Sequence, residues 1–255
     1  MSYWKEVLGE FVGTFILVII GCGSVAIAVL YYPLSLLQIA LIWSIGVAFA
    51  IYATRTYSSS HLNPAVTLAM MLAKKERWSK LPLYFLAQFC GATMASLLLY
   101  TVINHDLISF ELSNNIQRGG PQSYKSAVMF GEFFPNPGYE SSLQVSHIQA
   151  CLCEGLGTMV LVLVIFIITR KDYGINNLIP ILIGLTVGTI IMVVAPYTQA
   201  GLNPARDFGP RIIAYLGGWG KYAFPGVPIS FFTVYILSPL IGGILAQLVF
   251  NLIYE

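Results

Sequence analysis

Apolar residues along this chain come in long runs rather than in short patches. Six runs, at about Lys5–Leu30, Leu36–Tyr57, Leu81–Ile103, His147–Thr169, Asn177–Tyr197 and Ile229–Tyr254, come near the roughly 20 residues that a helix needs to cross a hydrocarbon core. In lipid a segment must satisfy its own backbone polar groups, so runs of this length predict transmembrane helices. The first run is too long for the apolar part of a signal peptide, carries Glu10, and has no clean small-residue cleavage site after it; it predicts a retained helix.

Composition agrees with this pattern. The 255 residues are 57% hydrophobic and 9% charged, whereas a soluble domain carries about 25% charged residues. An all-α integral membrane protein in the lipid bilayer follows, and the net charge of +2 is too small to imply a nucleic-acid partner. Basic residues set the orientation. Lys5, Arg55, Lys74, Lys75, Arg77, Lys80, Arg170 and Lys171 fall on the side of both termini, against Arg118, Lys125, Arg206, Arg211 and Lys221 on the other. Both termini are therefore expected in the cytoplasm, with the chain multi-pass in the cell membrane. Cys22, Cys90, Cys151 and Cys153 lie inside the runs without zinc or redox spacing, which predicts packing between helices. No metal, cofactor or enzymatic triad is indicated.

The chain is written twice. "GEFVGT" in the first run, with Glu10, Gly13 and Thr14, returns as "CEGLGT" in the fourth, with Glu154, Gly157 and Thr158. Leu-Asn-Pro-Ala follows the second run in "SSHLNPAVTL" (Ser59–Leu68) and the fifth in "QAGLNPARDF" (Gln199–Phe208). The third and sixth runs carry the small-residue patches "AQFCGA" and "SPLIGG", suited to close helix contact. Three spans per half is an odd number, so the halves, about 5–103 and 147–254, must be inverted relative to each other within one membrane domain spanning 1–255. A connection over 104–146, rich in Gly, Pro, Asn and Ser, joins them outside the membrane and is expected to drape over a vestibule.

Asparagine is a good N-cap and proline suits the first helical position. Asn63 and Asn203 thus predict helix starts, with helices over about Pro64–Lys75 and Pro204–Gly217. Each is long enough for roughly half of a 30 Å core. Two such half-helices abutting at the midplane make a seventh, broken span, preceded by non-helical backbone that is tolerated there only inside protein or along a wet cavity. Carbonyls of Ser59, Ser60, His61, Gln199 and Gly201 are expected to line that cavity. Each asparagine oxygen caps its helix and leaves an NH2 free to donate to a passing solute, while both positive helix ends disfavour cations.

These features together resemble the aquaporin superfamily, the major intrinsic proteins, over nearly the whole chain. The resemblance implies six tilted helices and two re-entrant half-helices around one pore per subunit, and a homotetramer. Asp207 after Arg206, and Arg211, resemble the glycerol-facilitating branch. The family's constriction falls on Trp43, Ile191, Ala200 and Arg206. Trp43 resembles the glycerol branch, giving an apolar wall for a polyol's carbons, and Ile191 stands where water-selective members carry histidine. Trp-Ile-Ala-Arg departs from the Gly and Phe of bacterial glycerol facilitators and resembles the filter of plant nodulin-26-like channels. Arg206 is expected to face water or backbone carbonyls, donating to solute hydroxyls and repelling cations and protons. Glu10 and Glu154, as symmetric copies, are expected to accept hydrogen bonds from the loops rather than relay protons. Asp207 is expected to orient its half-helix and loop. The resemblance puts His61 on the cytoplasmic pore wall, and His105 and His147 read as interfacial.

The function implied is a passive channel for glycerol, other small uncharged solutes and water. The alternatives are a channel chiefly for another neutral solute (undissociated lactic acid, dihydroxyacetone, urea or hydrogen peroxide) or for water. A secondary transporter also uses inverted repeats and broken helices, but the sequence shows no buried carboxylate cluster beyond Glu10 and Glu154.

Overall fold

The computed structural model describes residues 3–139, 142–170, 174–226 and 228–254; Lys171, counted above for orientation, lies outside them. Six helices are long and apolar enough to cross a membrane. We label the regular elements α1 (Tyr3–Leu30), α2 (Leu36–Thr54), α3 (Pro64–Leu72), α4 (Leu81–Ser113), α5 (His147–Ile168), α6 (Ile179–Thr198), α7 (Pro204–Ala214) and α8 (Ser238–Tyr254). A helical stretch from Pro228 with a wide turn over Phe232–Leu237 leads into α8. No strand occurs among the described residues.

Contacts follow the repeat. Within each half the first helix packs on the third, α1 on α4 and α5 on α8, while the second helices α2 and α6 pack on each other across the halves. The half-helices are exchanged, with α3 lying against α8 and α7 against α4. Neither half could therefore bury its own broken helix. The small-residue patches serve the first contact: a Cβ at Gly91 would strike the Phe11 carbonyl, and one at Gly242 the Gly155 carbonyl. Large apolar side chains point outward, in stripes such as Leu37, Leu41, Ile45 and Phe49 on α2 and Ile148, Leu152, Leu156 and Val160 on α5. The buried face of α1 instead holds Gly9, Glu10, Gly13 and Thr14. A helix that meets lipid on one side and protein on the other keeps its polar and small residues inside.

Starts are capped locally. Ser35 with Gln38 and Ser146 with Gln149 form reciprocal capping boxes at α2 and α5. Asn63 caps α3 by accepting from Ala65 N at 2.8 Å, and Asn203 caps α7 by accepting from Ala205 N and Arg206 N at 3.1 and 3.2 Å.

Three expectations are corrected. Helix α4 continues to Ser113, through ten residues assigned above to the connection. That extension is polar enough to leave the bilayer and is held by Glu111, paired with Arg118 at 2.7 Å. The rest of the connection lines the second cavity through Val128, Glu132, Asn136 and Tyr139, but it is not irregular: it makes a short helix at Tyr124–Ala127 and buries Met129, Phe130, Glu132 and Phe133. Cys90 is exposed on the outer face of α4 rather than packed between helices, whereas Cys22 is buried and Cys151 and Cys153 are partly so.

Candidate pore and constriction

Each half places one carboxylate behind its loop. Glu10, fully buried in α1, accepts from His61 N (2.9 Å), Leu62 N (2.8 Å) and Gln88 Nε2 (2.8 Å). Glu154 in α5 accepts from Gly201 N (2.9 Å), Leu202 N (2.7 Å) and the Thr198 hydroxyl (2.6 Å). The Glu-x-x-Gly-Thr spacing has a physical reason. One turn after the carboxylate, a Cβ at Gly13 or Gly157 would collide with Leu62 or Leu202, the leucine before each asparagine. Ser60, Leu62, Ala200 and Leu202 all have positive φ, between 49° and 63°. Such backbone is strained for non-glycine residues and persists only where surroundings impose it; the two carboxylates are those surroundings. With loop N–H groups committed to them, loop carbonyls are left for the cavity side.

The asparagines meet. Asn63 Nδ2 donates to the Leu202 carbonyl at 2.9 Å, and Asn203 Nδ2 donates to the Leu62 carbonyl at 2.8 Å. The expectation of a wholly free NH2 is thus corrected: one of its two N–H groups ties the opposite loop, and one remains.

A cavity of about 660 Å³ runs from Arg55, Lys75 and Arg170 at one mouth, past Ser59, Ser60, His61, Asn63, Gly201 and Asn203, to Trp43, Ile191, Ala200 and Arg206. A second, of about 270 Å³, opens at the other mouth between Tyr139, Asn136 and Gln199, and shares Trp43, Ile191 and Arg206 with the first. The four residues that spacing assigned to the constriction therefore do come together, between two vestibules. Trp43 lies against Gly21, where any Cβ would overlap its ring. The Arg206 guanidinium carbon sits 4.1 Å from the centroid of the same ring.

Arg206 meets a carboxylate. Its Nη1 pairs with Glu132 Oε1, and both side chains are buried. The sequence shows no buried carboxylate cluster beyond Glu10 and Glu154; in the structure Glu111, Glu132 and Asp207 are buried too. Glu132 is held by α7. Its N–H donates to Asp207 Oδ1 at 2.8 Å, and its carbonyl accepts from Arg211 Nη2. Arg211, inaccessible to solvent, gives two bonds to Asp207 at 2.8 and 3.0 Å and sits among Phe133, Phe231 and Tyr235. Phe133 N donates to Gln199 Oε1 at 2.7 Å. Burial pushes the Glu132 carboxyl up to about 7, and the Arg206 and Arg211 guanidiniums oppose the shift. A signal for Glu132 was present in the sequence, a lone carboxylate within the apolar run Met129–Phe134 outside the spans. What it meets, 74 positions further on, was not.

The histidines divide. His61 is partly buried, lines the larger cavity and packs edge-on to Tyr84, with its Nδ1 unpartnered among the described residues. His105 is exposed beside Asp106, and His147 reaches Thr233 at 2.8 Å.

Two interleaved, inverted halves around two cavities that share Trp43, Ile191 and Arg206 define an integral membrane channel. The chain belongs to the major intrinsic protein family, whose model matches residues 1–250. It is 40% identical over 248 residues to the glycerol uptake facilitator protein of Pseudomonas aeruginosa, covering 96% of this chain and 86% of that one. It is 35% identical over 238 residues to the propanediol uptake facilitator of Salmonella typhimurium, covering 92% and 88%. The X-ray structure of the aquaglyceroporin from Plasmodium falciparum superposes with a TM-score of 0.80 at 26% identity, covering 98% of this chain and 96% of that one. A member of this channel family is not an enzyme.

Proposed function

We propose that this chain passively conducts glycerol and other small uncharged solutes, with water, and excludes ions and protons. The observation that carries this most directly is the pair Asn63 and Asn203, each capping its half-helix and tied to the opposite loop, inside the larger cavity. Both helix N-termini point their positive ends at that spot, which opposes cations. Trp43, Ile191, Ala200 and Arg206 are the filter in this proposal. Trp43 and Ile191 face a solute's carbons, while Arg206 and the loop carbonyls of Ser59, Ser60, His61, Gln199 and Gly201 face its hydroxyls. Glycerol and propanediol facilitators among the relatives support a polyol. Glu10, Glu154 and Asp207 hold the loops. The mouth bearing Arg55 and Lys75 is cytoplasmic, as are both termini, in the cell membrane. Assembly of the chain as a homotetramer belongs to this proposal and rests on the family alone.

One reading within this class keeps another neutral solute in first place. It is favoured by Ile191 and Ala200, which shift bulk from one wall of the filter to another. Stopped-flow light scattering on proteoliposomes separates the two. Re-swelling in glycerol, urea and undissociated lactic acid is compared with water efflux. Fast glycerol re-swelling with a low activation energy is expected; fast acid or water flux without glycerol would transfer the function to the alternative. In the same assay Ile191→Gly should speed larger polyols relative to glycerol. An unchanged ratio would remove Ile191 from the filter.

A further inference from the structure

We propose that Glu132 is a specificity-determining residue of the pore: its carboxylate positions the Arg206 guanidinium and compensates its charge, so that a solute meets a hydrogen-bond donor and an acceptor side by side. The inference rests on the filter assigned above to Trp43, Ile191, Ala200 and Arg206. Glu132 lines the outer vestibule together with Trp43, Ile191 and Arg206, at the entrance to that filter.

Its position is built. Bonds from Glu132 N to Asp207, from Arg211 to the Glu132 carbonyl and from Phe133 N to Gln199 hold the backbone on both sides of the residue. Gly131 makes the approach possible, since a Cβ there would overlap the Arg211 side chain. An acid only 3% exposed is costly to bury unless it is paired, and its partner is the filter arginine. Arg206 is thereby held on two sides, by Glu132 and by the face of Trp43.

Two consequences follow for selection. An unpaired guanidinium would make the filter attractive to anions as well as repellent to cations; the pair is close to neutral and attracts neither sign, so cation exclusion depends on this charge balance together with the half-helix ends. A carboxylate has about four acceptor sites and the guanidinium takes only some of them. A hydroxyl both donates and accepts, so two adjacent hydroxyls of one molecule can engage Arg206 and Glu132 together. The ligand class that fits is the vicinal diol, glycerol and 1,2-propanediol included, in preference to 1,3-propanediol.

The test uses the full chain in proteoliposomes at about pH 9, above carboxylate titration, reading nitrate leak, potassium leak, and 1,2- against 1,3-propanediol re-swelling. Glu132→Gln should raise nitrate leak several-fold without potassium leak and reduce the diol preference. Arg206→Gln should do the reverse, admitting potassium past the uncompensated carboxylate, and the double variant should leak neither in excess. A merely structural role for Glu132 would not give leaks of opposite sign. Wild-type nitrate leak and diol preference in Glu132→Gln would overturn the proposal. Should that variant not fold, Glu132→Asp retains the charge on a shorter arm: low nitrate leak with a weakened diol preference supports the proposal, and high nitrate leak overturns it. Arg206→Gln without effect on any solute or ion would instead sink the filter assignment itself.

Discussion

Asp207→Asn is expected to be the most damaging single change in the chain, lowering stability by about 3–5 kcal/mol, as measured for breaking one side of a buried ion pair. The Asp207 carboxylate takes two bonds from Arg211 and one from Glu132 N, and neither Asp207 nor Arg211 touches solvent. An amide in its place turns an NH2 toward the guanidinium and leaves a buried charge uncompensated. Thermal unfolding in detergent should show a large fall in midpoint. Asp207→Asn combined with Arg211→Met should recover part of the loss, because removing both charges costs less than stranding one. The recovery cannot be complete, since Arg211 also bonds the Ala223 and Glu132 carbonyls. A double variant no more stable than the single one would show that the pair is not what holds this region.

Glu10→Ala is expected to abolish conduction while leaving the spanning helices in place. It strands His61 N and Leu62 N, at about 1–3 kcal/mol for each donor left unsatisfied, and leaves Gln88 Nε2 only its bond to the Thr67 hydroxyl at 2.9 Å. The positive φ of Ser60 and Leu62 then loses its support, and the loop should relax toward ordinary backbone inside the cavity. Circular dichroism should stay helical while glycerol and water fluxes both collapse. Glu10→Gln, which retains one acceptor, should be milder. The symmetric change Glu154→Ala should behave alike through Gly201 N, Leu202 N and Thr198. Retained flux in either alanine variant would mean that the loop holds its shape without the carboxylate.

Much of this was legible because its causes are local. A helix in lipid must be apolar for the thickness of the core, so the spans are written in hydropathy, and observed ends fall within a few residues of expectation for α1, α2, α5 and α6. Asn63-Pro64 and Asn203-Pro204 start helices through their own side-chain chemistry, and both do so here. Ends set by tertiary contact were misjudged. Helix α3 stops at Leu72, before the expected Lys75, and α7 gives way at Ala214 to a wider turn. The connection looked irregular because its regularity is not periodic: it is ordered through contacts with α7 and the end of α6, as at Asn136, which bonds the Ala195 and Tyr197 carbonyls.

By itself, then, the sequence determined a membrane protein of six spans in two inverted halves, with two broken helices. These follow from side-chain hydropathy, capping and repetition, which act within a turn or two of chain. Only the tertiary structure decided that each half-helix is buried by the other half and that the asparagines tie the opposite loops. It also decided that a carboxylate from the connection reaches Arg206. Those pairings join residues far apart in the chain, and in a low-dielectric interior the partner of a polar group, not its identity, determines what it does.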